Sequence, residues 1–311
     1  ASQLVRDWQE GMVQRIQDIS PSHVWLQAFA DPDGDGAAEA VYFPSRHMPV
    51  RADLFNRVAW QLRTRAQVRV YAWMPVLGFK LADADLQRAL QIAATNANEI
   101  PRLDPGDPRT LAIVSDIYAE LAANSHFDGL LFHDDAYLRD DEIPAYGDGV
   151  PAARTQGLID FTLALKTAAQ RWRPKLMTAR NLFARPVLEP ASEAWFAQRL
   201  EPFLTAYDIT ALMAMPQLEN ADDPQAWLRT LADTVRATPQ GVERTLFELQ
   251  TVDWRVPAPL PGETLRVQSR LLQAAGIRHL GYYPDDFIGN QPTLEDARDA
   301  MSARVFPYLE R

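Results

Sequence analysis

Short apolar segments of strand length alternate with amphipathic segments of helical length along almost the whole chain. Seven segments have the pattern of strands, and each is followed by a stretch whose apolar residues recur at helical spacing. One further helix precedes the first strand. Repeated alternation of this kind is typical of a parallel sheet covered by helices. The predicted strands are 23–29, 68–76, a third built around 130–132, 175–179, 208–215, 244–250 and 278–283; the predicted helices are 4–18, 54–65, 110–123, 155–172, 193–206, 224–237, 264–275 and 293–303.

This count predicts an α/β fold, a TIM-like (β/α)8 barrel that forms a single domain over residues 1–311. Its first strand would be short, irregular or upstream of Ala1. An open doubly wound sheet is the alternative. We disfavour it because no predicted strand is followed by a G-x-G-x-x-G or G-x-x-x-x-G-K-[ST] turn. The chain has no leading Met and no signal-peptide pattern, so we expect a mature protein or a domain of a longer one.

Charge and cysteine content narrow the classes of partner. With 31 basic and 41 acidic residues the net charge is −10, which argues against nucleic acid and favours a cationic or neutral ligand. The absence of cysteine excludes disulfides and cysteine-ligated metals. No apolar run approaches the roughly 20 residues that a transmembrane helix needs.

The segment after the third predicted strand contains adjacent carboxylates. In a barrel the carboxyl ends of the strands share one rim, and this rim carries catalytic groups. Asp134 and Asp135 follow the buried run ending at Phe132, where charges are costly without a specific purpose. Neighbouring carboxylates push one pKa up, which leaves one acid and one anion. We predict Asp134 and Asp135 to be catalytic, with Glu248 as a third candidate at another strand end; the alternative is that both Asp residues merely begin a turn.

Aromatic rings and polar groups at the same rim predict a groove for sugars, because rings stack on pyranose faces and acids accept hydroxyl and ammonium hydrogen bonds. Core packing is the competing interpretation for the aromatic residues and the histidine, and a solvated surface is the competing one for the acidic loop. The residues predicted to bind substrate are Trp73, His133, Asp140, Asp141, Arg180, Trp254, Tyr283, Asp285 and Asp286.

Four longer stretches carry a family resemblance: residues 25–36, 42–63, 71–75 and 131–135. They closely resemble the C-terminal glycoside hydrolase domain of the periplasmic poly-β-1,6-N-acetyl-D-glucosamine (PNAG) N-deacetylases of biofilm-forming Gram-negative bacteria. The resemblance covers nearly the whole chain. It implies a TIM-like barrel that cleaves partially deacetylated PNAG internally, in the periplasm. The free amines of that polymer are cationic, which suits the acidic chain.

The resemblance also implies partners. In that family the hydrolase follows an N-terminal, metal-dependent deacetylase domain, which we expect to be absent here because the five histidines form no H-x-x-x-H pair. An outer-membrane export porin, and association with the outer membrane through the full-length protein, are further expectations. We predict no cofactor and no metal. The rival function is a non-catalytic polysaccharide-binding domain that holds the polymer for modification and export.

Two points of chemistry stay open at this stage. The Asp pair allows a substrate-assisted mechanism, in which one acid orients the 2-acetamido group and the other protonates the leaving oxygen; the rival scheme takes a nucleophile or base from Glu248. The motif Asp31-x-Asp33-x-Asp35-Gly36 resembles the start of a calcium loop. Tyr42 stands where an EF-hand needs Glu, which excludes an EF-hand, and a structural turn without a metal is favoured over calcium.

Overall fold

The protein is described by a computed structural model that covers residues 2–93, 100–143 and 146–302, with side chains from residue 10 onward. Within these ranges seven parallel strands form one curled sheet, and each strand pairs with the next one along the chain. The strands are β1 (His23–Gln27), β2 (Arg69–Met74), β3 (Gly129–Phe132), β4 (Met177–Phe183), β5 (Ile209–Met213), β6 (Thr245–Gln250) and β7 (His279–Tyr283).

The predicted TIM-like barrel with seven clear strands is confirmed. A doubly wound sheet would reverse its strand order at a switch point. Here the order simply follows the sequence, so that alternative is wrong. In the described part of the chain no ladder joins β1 to β7, and the barrel is therefore an incomplete ring.

Helices cover the outside of the sheet. They are α1 (Ser2–Ile19), α2 (Phe55–Gln61), α3 (Ala84–Leu90), α4 (Pro108–Asn124), α5 (Pro151–Gln170), α6 (Arg185–Leu188), α7 (Glu193–Phe196), α8 (Leu200–Ala206), α9 (Pro224–Ala237), α10 (Gly241–Arg244), α11 (Gly262–Ala274) and α12 (Leu294–Met301). A π-helical turn, Leu62–Ala66, extends α2, and short 3₁₀ turns lie at Tyr146–Gly149 and Pro190–Ser192. Two antiparallel pairs of two-residue strands, Phe29–Ala30 with Ala40–Val41 and Val252–Asp253 with Ala258–Pro259, lie beyond the ends of β1 and β6.

Several helices begin at a side chain that caps them. Asp107 accepts from the backbone N–H of Arg109, and Asp223 accepts from the N–H groups of Gln225 and Ala226. A proline follows each of these Asp residues at the first helical position, where its missing N–H has no helical partner to lose. Asp-Pro therefore marks the start of α4 and α9 in the sequence itself.

Both faces of the sheet are buried, which explains why the strands are apolar almost throughout. The inner face holds a small cluster of Tyr71, Leu131, Ala179 and Ala211. The outer face packs under the helices through the main core, to which strand residues such as Leu130, Phe132 and Leu182 belong. None of the helices in the described ranges combines the length and the apolar composition that crossing a bilayer requires.

The structure differs from the predicted elements chiefly in three places, apart from the four-residue helices α6 and α10, which were not predicted. The predicted helix 193–206 is two helices, α7 and α8, separated at Ala197, whose φ of 48° no helix can continue through. The predicted strand 175–179 is longer and runs to Phe183, which places Arg180 inside the strand. Helix α3 was not predicted and lies in the long connection after β2. The end of the predicted helix 293–303 lies outside the described residues.

The gap between β1 and β7 is crossed by an ion pair. Arg15 of α1 donates from Nη2 to Asp285 Oδ1 at 2.7 Å and from Nε to Asp285 Oδ2 at 2.9 Å, just beyond the end of β7. The same guanidinium donates to Asn290 Oδ1 at 3.0 Å and to the Pro292 carbonyl at 2.7 Å. The first helix is thereby fastened to the last strand of the sheet.

Candidate active site

A cavity of about 310 Å³ lies at the carboxyl ends of the strands. Since all seven strands run parallel, their ends bring side chains from distant parts of the sequence to this one place. Half of the predicted site residues line the cavity: Trp73, His133, Asp134, Glu248, Trp254 and Tyr283. The loop between β1 and the short strand Ala40–Val41 contributes Asp31 and Asp35 to the same wall.

Glu248 is a buried carboxyl group that faces the interior of the barrel. Only 6% of the residue is exposed, and Asn181 Nδ2 donates to its Oε2 at 2.7 Å. Burial, helped by the negative charge of Asp134, raises the pKa of Glu248 to about 7, although the Asn181 hydrogen bond and His133 act in the opposite direction. A carboxyl group with such a pKa can hold and release a proton near neutral pH, as a general acid must.

Asp134 lies in the turn that follows β3. The His133 backbone N–H donates to the Met74 carbonyl at 3.0 Å, which fixes the start of this turn against β2. The side chain of His133 lies between two carboxylates, with Nε2 2.9 Å from Asp134 Oδ1 and Nδ1 3.6 Å from Asp135 Oδ1. Burial alone would lower the pKa of His133, but the two carboxylates outweigh it and raise that pKa to about 10. An imidazolium therefore holds Asp134 in place.

Asp135 lies outside the cavity, which corrects its prediction as the second catalytic acid of the groove. Its carboxylate is fully buried and accepts from three consecutive backbone N–H groups, those of Val76, Leu77 and Gly78, within 3.0 Å. Burial would raise the pKa of Asp135, but His133 and these N–H groups lower it. Asp135 therefore anchors the turn after β2 and supports His133 from behind.

The aromatic residues form one connected group. The rings of Trp254 and Tyr283 are stacked, with centroids 6.1 Å apart and planes at 20°. Trp73 meets Tyr283 edge-on at 4.9 Å and also packs against His133 at 4.9 Å. Trp254 is 37% exposed, so it offers a ring face to a ligand, whereas Trp73 mainly packs the floor of the cavity.

The loop that contains Asp31 is held by its own backbone and by a lysine. The Asp31 carboxylate accepts from Gly34 and Gly36, both at 2.9 Å, and these glycines have φ values of 74° and 87°. Asp31, Asp33 and Asp35 are close enough to share a cation. The Lys80 ammonium lies among them, 2.7 Å from Asp33, 2.8 Å from Asp35 and 2.8 Å from Glu39. A turn closed by an internal cation accounts for this motif.

Arg180 was predicted to bind substrate, and the structure corrects this. Side chains of β4 alternate between the two faces of the sheet, so Asn181 points to the cavity and Arg180 points to the helices. The Arg180 guanidinium is fully buried, donating to Tyr207 Oη at 2.6 Å and to the Ala136 carbonyl at 3.0 Å. Its ring contact with Phe203 completes an internal cation site on the outer face.

The remaining predicted acids also lie outside the cavity. Asp285 is bound to Arg15, as described above, and accepts from Tyr282 Oη at 2.8 Å. Asp286 closes its own loop by accepting from Ile288 at 3.1 Å and Gly289 at 2.9 Å. Asp140 and Asp141 are exposed, and Asp141 pairs with Arg139 at 3.2 Å. These placements correct the prediction that all four acids line the groove.

Asp31 and Asn181 lie at predicted strand ends, but sequence reasoning did not include them among the site residues, and it missed Asp35. Asn181 could have been found from strand periodicity, because it lies two residues after Ala179 and shares its face. The motif that contains Asp31 and Asp35 was interpreted as a turn or a calcium loop. Nothing in the local sequence shows that this loop folds back over the barrel mouth.

Comparison with known proteins places this arrangement in a family. The family model described as hypothetical glycosyl hydrolase family 13 matches residues 6–145 and 144–283. The poly-beta-1,6-N-acetyl-D-glucosamine N-deacetylase of Escherichia coli (strain K12) is 41% identical over 332 aligned residues, covering 95% of this chain and 49% of the relative. The chain thus spans about half the length of that curated relative.

Solved structures agree with the sequence comparison. The glycoside hydrolase domain of PgaB (BpsB) from Bordetella bronchiseptica is 44% identical, with a TM-score of 0.88 over 94% of this chain and 92% of that one. Alpha-L-fucosidase isoenzyme 2 from Paenibacillus thiaminolyticus shares the fold, with a TM-score of 0.63 at 15% identity over 94% of this chain and 45% of that one. The chain therefore belongs to the hypothetical glycosyl hydrolase family 13, together with the glycoside hydrolase domain of PgaB, as the resemblance of its motifs predicted.

Proposed function

We propose that this chain is an endo-acting glycoside hydrolase that cleaves partially deacetylated poly-β-1,6-N-acetyl-D-glucosamine. The observation that carries the proposal is that Asp134 and Glu248 lie on the walls of one cavity that also presents aromatic rings. Two carboxyl groups that flank a bound sugar are what most glycosidases use. The named activity of the Escherichia coli relative on the same polymer supports the choice of substrate.

The charge of the cavity supports a cationic sugar. Its lining residues in the described part of the chain include four acids, Asp31, Asp35, Asp134 and Glu248, against one cation, the His133 imidazolium. A glucosamine unit that has lost its acetyl group carries an ammonium, which carboxylates bind by charge-assisted hydrogen bonds. The exposed face of Trp254 suits stacking on a pyranose ring.

The environments of the two acids suggest a division of labour. Glu248, with its raised pKa, donates a proton to the glycosidic oxygen as the bond to the anomeric carbon breaks. Asp134, held by His133, orients the 2-acetamido group so that its carbonyl oxygen attacks that carbon. Water then opens the cyclic intermediate and returns a proton to Glu248. This scheme predicts retained anomeric configuration and cleavage only after a sugar that keeps its acetyl group.

The experiment is analysis of products by mass spectrometry and NMR with partially and fully deacetylated polymer. We expect shorter oligosaccharides from the partially deacetylated polymer only, at a rate that a metal chelator leaves unchanged. Asp134→Asn should abolish cleavage while polymer binding persists. Asp286→Asn, an acid at the same end but outside the cavity, is the matched control and should cleave normally.

Intact polymer after long incubation with the unaltered chain, with binding retained, would overturn the proposal. That result would favour a non-catalytic domain that holds the polymer. Full activity of Asp134→Asn would remove the proposed division of labour but leave a hydrolase.

The setting of the reaction belongs to the same proposal. We place the chain in the periplasm, as the family resemblance implies, and beside a deacetylase domain, because the relative named as an N-deacetylase is about twice as long as the part that matches. A porin partner and association with the outer membrane stay predictions of the family resemblance.

A further inference from the structure

A second cavity, of about 490 Å³, lies at the opposite end of the barrel. It is formed at the amino ends of β2, β3 and β4, by the π-helical turn that precedes β2 and the turn that follows α5. Four of its lining residues are cations: Arg63, Arg69, Arg173 and Lys175. We call this the basic cleft. In a chain whose net charge is −10, such a concentration is local and opposes the overall charge.

The one carboxylate among the lining residues, Asp128, is already committed. Its Oδ2 accepts from the Val70 backbone N–H at 2.9 Å and from Arg63 Nε at 3.1 Å. Arg69 and Lys175 are exposed and make no ion pair with any other residue that the structure describes. The positive charge of the basic cleft is therefore only partly neutralised.

The contacts of Arg173 also leave positive charge in excess. Its Nε donates to the Ser125 carbonyl at 2.8 Å, while Nη1 and Nη2 lie 3.1 and 3.3 Å from the ring nitrogens of His126. A guanidinium normally directs this fork at a carboxylate or a phosphate. Here it faces an imidazole, and burial together with the nearby Arg63 lowers the pKa of Arg173 itself. An anion in the basic cleft would relieve this crowding of like charges.

The rim of the basic cleft is apolar as well as charged. Trp172 is 57% exposed and Met177 is 40% exposed. Tryptophan beside lysine and arginine is the residue pattern of surfaces that lie at a membrane interface, where the ring lies at headgroup level and the cations meet lipid phosphates. A soluble inorganic anion would gain nothing from these exposed apolar side chains.

We propose that the basic cleft binds the phosphate group of an anionic phospholipid, with Arg69, Arg173 and Lys175 around the phosphate and Trp172 against the glycerol and acyl region. This end of the barrel would then face a lipid surface while the acidic cavity at the other end faces away from it. The proposal does not depend on the glycosidase activity.

The test uses two probes, because a headgroup and a free phosphate ester share the same chemistry. One is flotation with vesicles of phosphatidylcholine that contain or lack phosphatidylglycerol. The other is the shift in Tm produced by glycerol phosphate, measured against sodium chloride of equal ionic strength. We expect binding to the anionic vesicles only, weakening as salt rises, and a shift in Tm with glycerol phosphate.

Variants separate the basic cleft from general charge effects. The double change Arg69→Glu with Lys175→Glu should weaken vesicle binding by at least about tenfold. Arg229→Glu with Arg270→Glu makes the same change in net charge on exposed helix positions outside the basic cleft, and should bind like the unaltered chain. Trp172→Ala should weaken binding to vesicles but not to glycerol phosphate, whereas Trp195→Ala, another exposed tryptophan, should affect neither.

Each result decides the matter. Equal losses in the two double variants, or no response to either probe, would overturn the proposal. A shift in Tm with glycerol phosphate but no flotation would overturn the lipid assignment and give the basic cleft to a soluble phosphate ester. A circular dichroism spectrum and a Tm equal to those of the unaltered chain show that the Arg69→Glu, Lys175→Glu variant is folded.

Discussion

The two ends of this barrel carry opposite charge although the same seven strands connect them. At the carboxyl end, the described lining residues of the cavity include four acids, Asp134 and Glu248 among them, and one cation, His133. At the amino end, the basic cleft holds four cations against one committed carboxylate. A polycation is therefore drawn to one end and repelled from the other.

The difference shows which residues of a barrel supply the charge at each of its ends. The strands are mostly apolar on both faces, and the exceptions at the acidic end, Glu248 and Asn181, lie toward the carboxyl ends of β6 and β4. The charge comes from the residues at the two ends of each strand and in the adjoining loops. In β2, for example, Arg69 is the first residue, and the turn after the strand receives Asp135. Substitutions toward the strand ends and in the adjoining loops should therefore separate the two ends without disturbing the middle of the sheet.

The largest effect should come from Glu248→Gln at the acidic end. A glutamine of the same shape keeps the contact with Asn181 but cannot donate a proton to the leaving oxygen. We expect the rate of cleavage to fall by roughly 10²–10⁴-fold, the usual contribution of a general acid. Steady-state kinetics on a defined oligosaccharide measures it. Arg69→Glu at the basic end should leave the rate of cleavage unchanged. A comparable loss of rate in that variant would show that the two ends do not act independently.

Asp135→Asn should affect stability more than chemistry. The carboxylate is fully buried and accepts from three backbone N–H groups, so an amide that offers its one oxygen to them turns its NH2 group toward the His133 imidazolium and loses the negative charge that faces it. We expect the free energy of unfolding to fall by roughly 3 kcal/mol in urea denaturation. Asp141→Asn, an exposed acid of the same region, should change it by less than about 0.5 kcal/mol. Unchanged stability of Asp135→Asn would return that residue to the catalytic candidates.

The pH dependence sharpens the assignment of the acid. The pKa of Glu248 is about 7 in the folded state against an ordinary value of 4.5, so the folded state binds more protons between these values. The contribution of Glu248 to stability is thus present below pH 4.5 and is lost as pH rises to about 7. Cleavage should decline above the same pH as the acid loses its proton. Thermal unfolding and rates measured from pH 4 to 9 should show both trends, and Glu248→Gln should remove the first.

The smallest effect should be that of Trp254→Ala on binding. Loss of one exposed stacking surface should weaken the affinity for oligosaccharide by about 1 kcal/mol, seen by titration calorimetry. Trp195→Ala removes an exposed tryptophan that lines neither cavity and serves as the control. Equal affinity of Trp254→Ala and the unaltered chain would assign Trp254 to packing against Tyr283.

The fold could be predicted from sequence because its signal is repeated. Every strand–helix unit repeats the same pattern, and Asp-Pro at α4 and α9 marks helix starts by a local mechanism. Errors arose where one residue alone decides the outcome. Ala197 interrupts an apparently continuous helix because it adopts a left-handed φ, and its sequence gives no sign of this.

Only part of the site could be predicted, because the direction in which a side chain points depends on where each strand begins and ends. Asp134 and Asp135 are adjacent, and the turn after β3 sends one to the cavity and the other to the backbone of Val76–Gly78. Taking β4 as ending at residue 179 put Arg180 on the rim, although the strand continues and buries it. Asp285 has a partner, Arg15, 270 residues away, which no local pattern could reveal.

The clasp between Arg15 and Asp285 has a mechanical consequence. In a closed barrel the number and stagger of hydrogen-bonded strands set the circumference. That rule does not apply between β1 and β7, because no ladder joins these two strands in the described part of the chain. The Arg15 guanidinium and the oxygen atoms that it binds connect the two sides instead. Widening the mouth at this point would therefore stretch the hydrogen bonds of one guanidinium, whereas widening it elsewhere would break a ladder of strand pairs.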